Sequence, residues 1–350
     1  MQRSVQRIGR RLLGRRRPLR AGPRGQHERG ANGSGRDRHT GEPPGTLGPD
    51  RRRQCAAHLS PCRSGDRGNP RSDRGAARVT NAFQDKVCVV TGAAAGIGEA
   101  ICRAFAAQGA RVALLDLDLA RAAAVAAQLP GAQAFACDVS DSATVATAFA
   151  RVHDAFGRVD ILINNAGIIG GEEYRRNLLR RVEQMREMQG GGAIETPLNA
   201  TVELTDAQWR TMLSTHLDGT FYCTRAVLPG MQSRRHGAIV NMSSVIGLDG
   251  GAGVPHYAAA KAGIIGFTRA VSQEVAPFGI RVNVVAPGFI QTAMRSQLPD
   301  SIAAGHVRAT PLGRLGSASE IADAVLYLAS DKASFIAGQV LSPNGGYLSR

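Results

Sequence analysis

From Asn81 onward, short apolar runs rich in β-branched residues alternate with Ala-rich stretches whose apolar positions recur at helical spacing. The runs predict strands at 86–90, 112–116, 134–139, 161–163, 238–242, 281–285 and 339–341. The amphipathic stretches predict helices over 97–108, 119–129, 257–275 and 319–329, with another ending near 156. Strands separated by helices are joined by crossovers, so neighbours run parallel and both faces of the sheet are covered. The predicted fold class is therefore α/β, one doubly wound domain on a parallel seven-stranded sheet.

One segment breaks this rhythm. Between Gly170 and Asp206, the residues Tyr174, Leu178, Val182 and Met185 recur at helical spacing with arginines between them, and Gly190-Gly191-Gly192 forms a stop. An inserted amphipathic helix is predicted within about 170–205. It follows a strand end on the side of the sheet where such folds bind ligands. Three roles stay open for it: a lid or substrate wall, an oligomer contact, and surface decoration.

Composition separates the two ends of the chain. The 350 residues carry a formal net charge of +15, yet residues 1–80 alone hold 20 Arg, no Lys and 6 acidic residues, a net of +14. Residues 81–350 are thus near +1, and the basic pI says nothing about the folded part. No nucleic-acid or membrane partner is expected of that part. In residues 1–80, Arg, Gly and Pro fill 40 positions and no aromatic ring occurs, which leaves too little apolar surface to offset chain entropy. The expected organisation is a disordered extension, 1–80, followed by one domain, 81–350, with its helical insert. The extension has three readings: translated upstream sequence before a start at Val79, a targeting peptide, and a nucleic-acid-binding tail. The second draws on residues 1–24, which are Arg-rich and acid-free, with Val5, Ile8 and Leu12 at helical spacing.

Cys88, Cys102, Cys137 and Cys223 fall inside apolar patterns, where a thiol acts as a small hydrophobe, and Cys55 and Cys62 lack the partners of a metal site. This usage predicts a reducing, cytoplasmic location and no metal. No apolar run approaches the roughly 20 residues that span a bilayer.

The first strand leads into Thr91-Gly92-Ala93-Ala94-Ala95-Gly96-Ile97-Gly98, which opens the first helix. Glycines here permit a tight turn and close approach of a pyrophosphate, while the helix N-terminus offers amide donors. Asp116 ends the second strand 18 residues after Gly98, where a carboxylate accepts hydrogen bonds from adenosine ribose hydroxyls and repels a 2′-phosphate. Neither Ala95 nor Leu117 provides a cation for such a phosphate, so NAD is the expected cofactor. Tyr257 and Lys261 stand four apart in a helical stretch and share one face, and Ser244 ends the preceding strand run. Protonating a carbonyl oxygen with a phenol of ordinary pKa about 10 needs a nearby cation to stabilise the phenolate. Lys261 is one of only three lysines against 40 arginines, so background usage does not account for it.

In this combination the sequence resembles the short-chain dehydrogenase/reductase family over about Asp85 to Tyr347, apart from the insert. Thr91 to Gly98 resembles its TGxxxGIG, Asp138-Val139 its adenine-side dipeptide, Asn164-Asn165-Ala166-Gly167 its NNAG turn, and Ser244, Tyr257 and Lys261 its Ser and YxxxK. Pro287-Gly288-Phe289-Ile290-Gln291-Thr292 resembles its PG turn, with Thr292 near the carboxamide. The resemblance implies a Rossmann-type sheet, an active site at the C-terminal strand ends and a homo-oligomer, a tetramer or dimer. It further implies cofactor contacts at Gly92, Ala95, Gly96, Ile97, Gly98, Asp116, Asp138, Val139, Asn165, Ala166, Gly167, Tyr257, Lys261, Pro287, Gly288, Ile290 and Thr292. Asn164 and Asn165 are also expected to tie strands together, and Arg314 with Glu320 to form a structural pair.

Two departures stand out. The family usually carries Asn where this chain has His216, and an imidazole of ordinary pKa near 6.5 adds a titration in the working range if it joins the proton path. The other is the insert. The function expected is oxidation of a secondary alcohol or reduction of a ketone, with 3-hydroxyacyl/3-oxoacyl thioesters among the candidates. The alternative is a regulatory protein that binds the cofactor with little turnover. The loop from Phe289 to Pro311 is expected to line the substrate pocket through Met294, Arg295, Leu298, Ile302 and Arg308.

Overall fold

The computed structural model describes residues 81–191, 193–292 and 300–349. The extension with Cys55 and Cys62, as well as Gly192, Met294, Arg295 and Leu298, lies outside the described residues. The strands are β1 (Val87–Thr91), β2 (Arg111–Asp116), β3 (Gln133–Ala136), β4 (Ile161–Asn164), β5 (Gly237–Met242), β6 (Ile280–Val285), β7 (Ile290–Gln291), β8 (Gly316–Ser317) and β9 (Val340–Leu341). Seven form one sheet in the order β3-β2-β1-β4-β5-β6-β9, every pair parallel, while β7 and β8 make a separate two-stranded ladder. Strand order reverses between β1 and β4, and a crevice opens beyond the C-terminal ends of strands at such a point.

Period-two alternation divides the core into two layers. Cys88, Val90, Val112, Leu114, Val240 and Met242 face α1 (Gly96–Ala106), α2 (Leu119–Ala126) and α10 (Ala318–Ala329). Val87, Val89, Ala113, Leu115 and Ile239 face α3 (Ser142–Phe156), α6 (Gly219–Arg234) and α8 (Pro255–Val275). Both faces of the central strands are covered, which is why those runs read as continuously apolar. Among the described residues the four cysteines are buried free thiols, and burial pushes Cys137 up to about 12.

Caps fix the helix starts. Asp141 accepts from the Ala143 amide at α3, and reciprocal boxes form between Thr205 and Gln208 at α5 (Asp206–Leu213) and between Ser317 and Glu320 at α10. The expected pair of Arg314 with Glu320 is present at 2.6 Å beside the last of these. Strand β3 stops at Ala136, three residues short of the sequence-based expectation, and helix α2 stops at Ala126 and closes in single turns through Leu129. Beneath the crevice, the Asn164 amide donates to Asn241 Oδ1 (2.8 Å) and Thr224 Oγ1 (3.1 Å), and the Asn241 amide donates to Thr268 Oγ1 (2.9 Å). This buried network joins β4, β5, α6 and α8, the elements that carry the chemistry.

The insert forms α4 (Glu172–Gln189), longer than its apolar stripe. Asn177 donates to the Gly253 carbonyl at 2.9 Å, Arg176 and Arg180 pair with Glu203 at 3.1 and 2.8 Å, and Glu187 accepts from Thr196. These contacts hold one side of the helix in place.

Candidate active site

Between β1 and α1, Gly92 and Gly96 adopt left-handed φ of 64° and 59°, which a side chain rarely tolerates. A Cβ on Gly98 would stand 2.0 Å from the Gly92 carbonyl oxygen, so the first turn of α1 lies directly on the loop. No side chain caps α1 at Ala95, and its first amides stay available to an anion. Asp116 accepts from the Ala94 amide through Oδ2 (2.8 Å) and from the Asp118 amide through Oδ1 (3.0 Å). A carboxylate has further acceptor capacity, so tying the glycine loop to β2 leaves it able to receive hydroxyl donors. Leu117 beside it is exposed and apolar.

Asn165 reaches the same loop. Its amide donates to the Thr91 and Gly92 carbonyls, both at 3.0 Å, so the strand-tying role is realised here as well as in Asn164. Asp138 accepts from the Ser140 amide and hydroxyl at 2.9 and 2.7 Å, and Val139 packs against Gly219 of α6. Gly288 packs against Asn344, and its neighbour Pro287 accepts from the Val245 amide. Ile290 lies in β7, and the Thr292 methyl would contact a Cβ on Gly96. The predicted cofactor residues fit a dinucleotide: a loop of small residues in which Gly92 and Gly98 leave no room for a side chain, an uncapped helix start and a carboxylate at the end of β2.

Ser244 caps the short helix α7 (Val245–Asp249), with its hydroxyl 3.2 Å from the Ile246 amide. Tyr257 sits near the start of α8, where the Ser244 hydroxyl favours its phenolate but burial nonetheless pushes the phenol up to about 12. Lys261 lies one turn on, donates to the Met242 carbonyl at 2.8 Å, and is pulled down to about 7 by burial. Its ammonium stands 5.7 Å from the centre of the Tyr257 ring. Burial thus dominates the ionisation of both groups, disfavouring the phenolate of Tyr257 and the ammonium of Lys261 alike.

His216 sits on a π-turn, Ser214–Asp218, between α5 and α6, where the extra backbone residue aims its ring at Tyr257, edge to face at 5.4 Å. Its Nε2 lies 2.8 Å from the Ile168 carbonyl, and its Nδ1 is buried without a partner among the described residues. Burial, reinforced by Lys261, holds the imidazole well below its ordinary range. The expected titration in the working range is therefore corrected: the ring is neutral there. A Cβ on Gly167 would fall 2.3 Å from the His216 ring, so that glycine is required by the imidazole itself.

A cavity of about 630 Å³ adjoins Ser244 and Tyr257. The apolar stripe of α4 forms one wall, and Ile302 and Arg308 of α9 (Asp300–Ala309) line another.

The short chain dehydrogenase family profile matches residues 86–303. The chain belongs to the short-chain dehydrogenase family. Family membership makes it an oxidoreductase that uses a nicotinamide cofactor. A 3-oxoacyl-[acyl-carrier-protein] reductase from Escherichia coli is 40% identical over 265 residues, 75% of this chain and 98% of that protein. The enzyme of the same name from Thermotoga maritima is 38% identical over 268 residues, again 75% and 98%. A crystal structure of ribose-5-phosphate isomerase from Brucella melitensis 16M shares 34% identity with a TM-score of 0.66, covering 77% of this chain and 94% of that one.

Beside the short-chain dehydrogenase motifs stand contacts that sequence reasoning did not name, although Phe289 and His306 fall in the loop expected to line the pocket. Phe289 stacks on His306 at 3.8 Å and meets Tyr347 edge-on at 4.9 Å, and all three line the cavity. Their separation along the chain left no local signal. Gly247 lets α7 close on α8, since a Cβ there would lie 2.7 Å from the Lys261 backbone; its neighbours Ile246 and Leu248 had offered no motif.

Proposed function

We propose that this short-chain dehydrogenase is NAD-dependent and interconverts a secondary alcohol and a ketone, with 3-oxoacyl thioesters among its substrates. The observation that carries the reading is that Ser244 and Tyr257 both line the cavity, with the Lys261 ammonium one turn along α8 and 5.7 Å from the Tyr257 ring. A nicotinamide held beside these residues would supply or accept the hydride. Ser244 hydrogen-bonds the substrate oxygen and orients the reacting carbon. Tyr257 gives a proton to that oxygen in reduction and takes it back in oxidation. Its raised phenol pKa keeps it protonated and ready to donate, while the oxidative direction needs the Lys261 charge to stabilise the phenolate. Lys261 is cationic below about 7, so its support of the phenolate weakens as pH rises through that value.

His216 positions this set rather than titrating. Its neutral ring braces the Ile168 backbone on one side and the Tyr257 ring on the other. The preference for NAD rests on Asp116 and the absence of a cation at Ala95 and Leu117. The names of the E. coli and T. maritima relatives support a thioester substrate. The test is nicotinamide absorbance with a panel of ketones, alcohols and 3-oxoacyl thioesters, using both NAD and NADP forms. Turnover with NADH is expected; no turnover of any carbonyl or alcohol overturns the dehydrogenase reading, and a preference for NADPH overturns the cofactor assignment.

A further inference from the structure

We propose that α4 and α9 form a substrate clamp that selects carbonyl compounds with an apolar body and an anionic far end. The inference rests on the dehydrogenase reading above and specifies the substrate class of the same site.

The stripe of α4 runs from the reacting centre outward. Tyr174, Leu178, Val182 and Met185 all line the cavity, and at 1.5 Å per residue the stripe extends about 16 Å. Its Tyr174 end is close enough to Tyr257 for the two phenols to affect each other's ionisation. The side chains that latch the helix, namely Arg176, Asn177, Arg180 and Glu187, do not line the cavity. One side of α4 is thus committed to holding it and another to the cavity, which a surface decoration would not require. The volume, about 630 Å³, suits an elongated small molecule.

Charge decides the far end. Arg181, Arg186 and Arg308 line this cavity and, among the described residues, no Asp or Glu does. Arg186 already pairs with Glu183 at 3.0 Å. Arg181 donates to the neutral Gln184 at 3.2 Å, and neither it nor Arg308 has an ion pair among the described residues. Guanidinium groups on facing helices recognise carboxylate or phosphate through paired N–H donors. An apolar chain lying along the first part of that stripe would carry its terminal anion about 10 Å along α4 to Arg181 and to Arg308, with its carbonyl at Ser244 and Tyr257.

Two substrate pairs test this and separate the sources of the anion: a medium-chain oxo-carboxylic acid against its methyl ester, and a 3-oxoacyl coenzyme A against the same acyl group on N-acetylcysteamine. The full chain and an Arg181→Gln/Arg308→Gln variant are compared, with thermal melting and NADH binding as checks on folding. In the variant the ratio of kcat/KM for the anionic over the neutral member should fall about tenfold, mainly through KM, in the pair that matches the natural anion. Val182→Asp, which places a like charge on the apolar wall, should raise KM for long chains more than for short ones. Ratios unmoved in both pairs, in a folded variant that still turns over substrate, overturn the clamp and leave the dehydrogenase reading intact. Absence of turnover in the unmodified chain overturns both.

Discussion

On the proposed cofactor side of the crevice, position is set largely by backbone: Gly92 and Gly98 pack so closely that no side chain fits there, and Gly92 and Gly96 hold left-handed φ. On the substrate side it is set by side chains on two helices outside the sheet, α4 and α9, with polar latches holding α4. A backbone-built wall has few alternatives, because nearly every atom of it is a peptide atom. A side-chain wall can change its shape and charge residue by residue. The proposed catalytic group stands between the two, at the start of α7 and on α8, where it could serve any substrate the second wall admits.

The largest effect is expected between the walls. Tyr257→Phe removes the proton donor and keeps the ring, so kcat should fall about a thousandfold while NADH affinity, measured by fluorescence titration, stays within a few-fold. Retention of most activity would remove Tyr257 from the chemistry.

Lys261 should reveal the energetic strain of the same region. Its folded pKa, about 7, lies below its ordinary value of 10.5, so the unfolded chain binds the extra proton between these values. Its contribution is therefore destabilising below about 7 and relaxes as pH rises toward 10.5. Lys261→Met should melt about 5 °C or more above the unmodified chain at pH 7, with the gap closing at higher pH. A gap independent of pH would refute the assignment.

The contrast between walls is sharpened by two small substitutions. Gly98→Ala places a methyl 2.0 Å from the Gly92 oxygen, and urea unfolding should show a loss of about 3 kcal/mol together with lost cofactor binding. Met185→Ala on α4, whose side chain is 39% exposed, should cost less than about 1 kcal/mol and act on KM alone. Equal costs would erase the distinction drawn here.

If the proposed preference for NAD holds, Asp116→Ala should narrow it about tenfold in kcat/KM, since one carboxylate is lost from the proposed ribose site. Smallest of all, Glu203→Gln removes the partner of two partly exposed arginines, and the melting temperature should move by no more than about 2 °C. A larger shift would make the latch a structural keystone.

What could be read from the residues themselves divides along the same line. The glycine loop, the end of β2 and the Ser244, Tyr257 and Lys261 spacing are local patterns, so sequence analysis located them and the fold brings them to one edge. Ionisation was not legible. The His216 and Lys261 values depend on how deeply each is buried, which depends on elements far away in the chain. The Phe289, His306 and Tyr347 cluster is likewise a product of tertiary approach. Helix α6 escaped the pattern because Pro229 interrupts it and its apolar residues spread round the axis.

The latch on α4 also bears on how such an enzyme diversifies. Arg176, Arg180 and Glu187 find their partners, Glu203 and Thr196, within the same excursion, and Asn177 to Gly253 is the hydrogen bond that crosses to the α7–α8 connection. Loop-closure entropy grows only logarithmically, so doubling the length of a connection costs about 0.6 kcal/mol. A segment that brings its own fastenings can therefore be acquired, exchanged or discarded over generations without re-folding the sheet. Substrate range then drifts as a module while the hydride chemistry stays inherited.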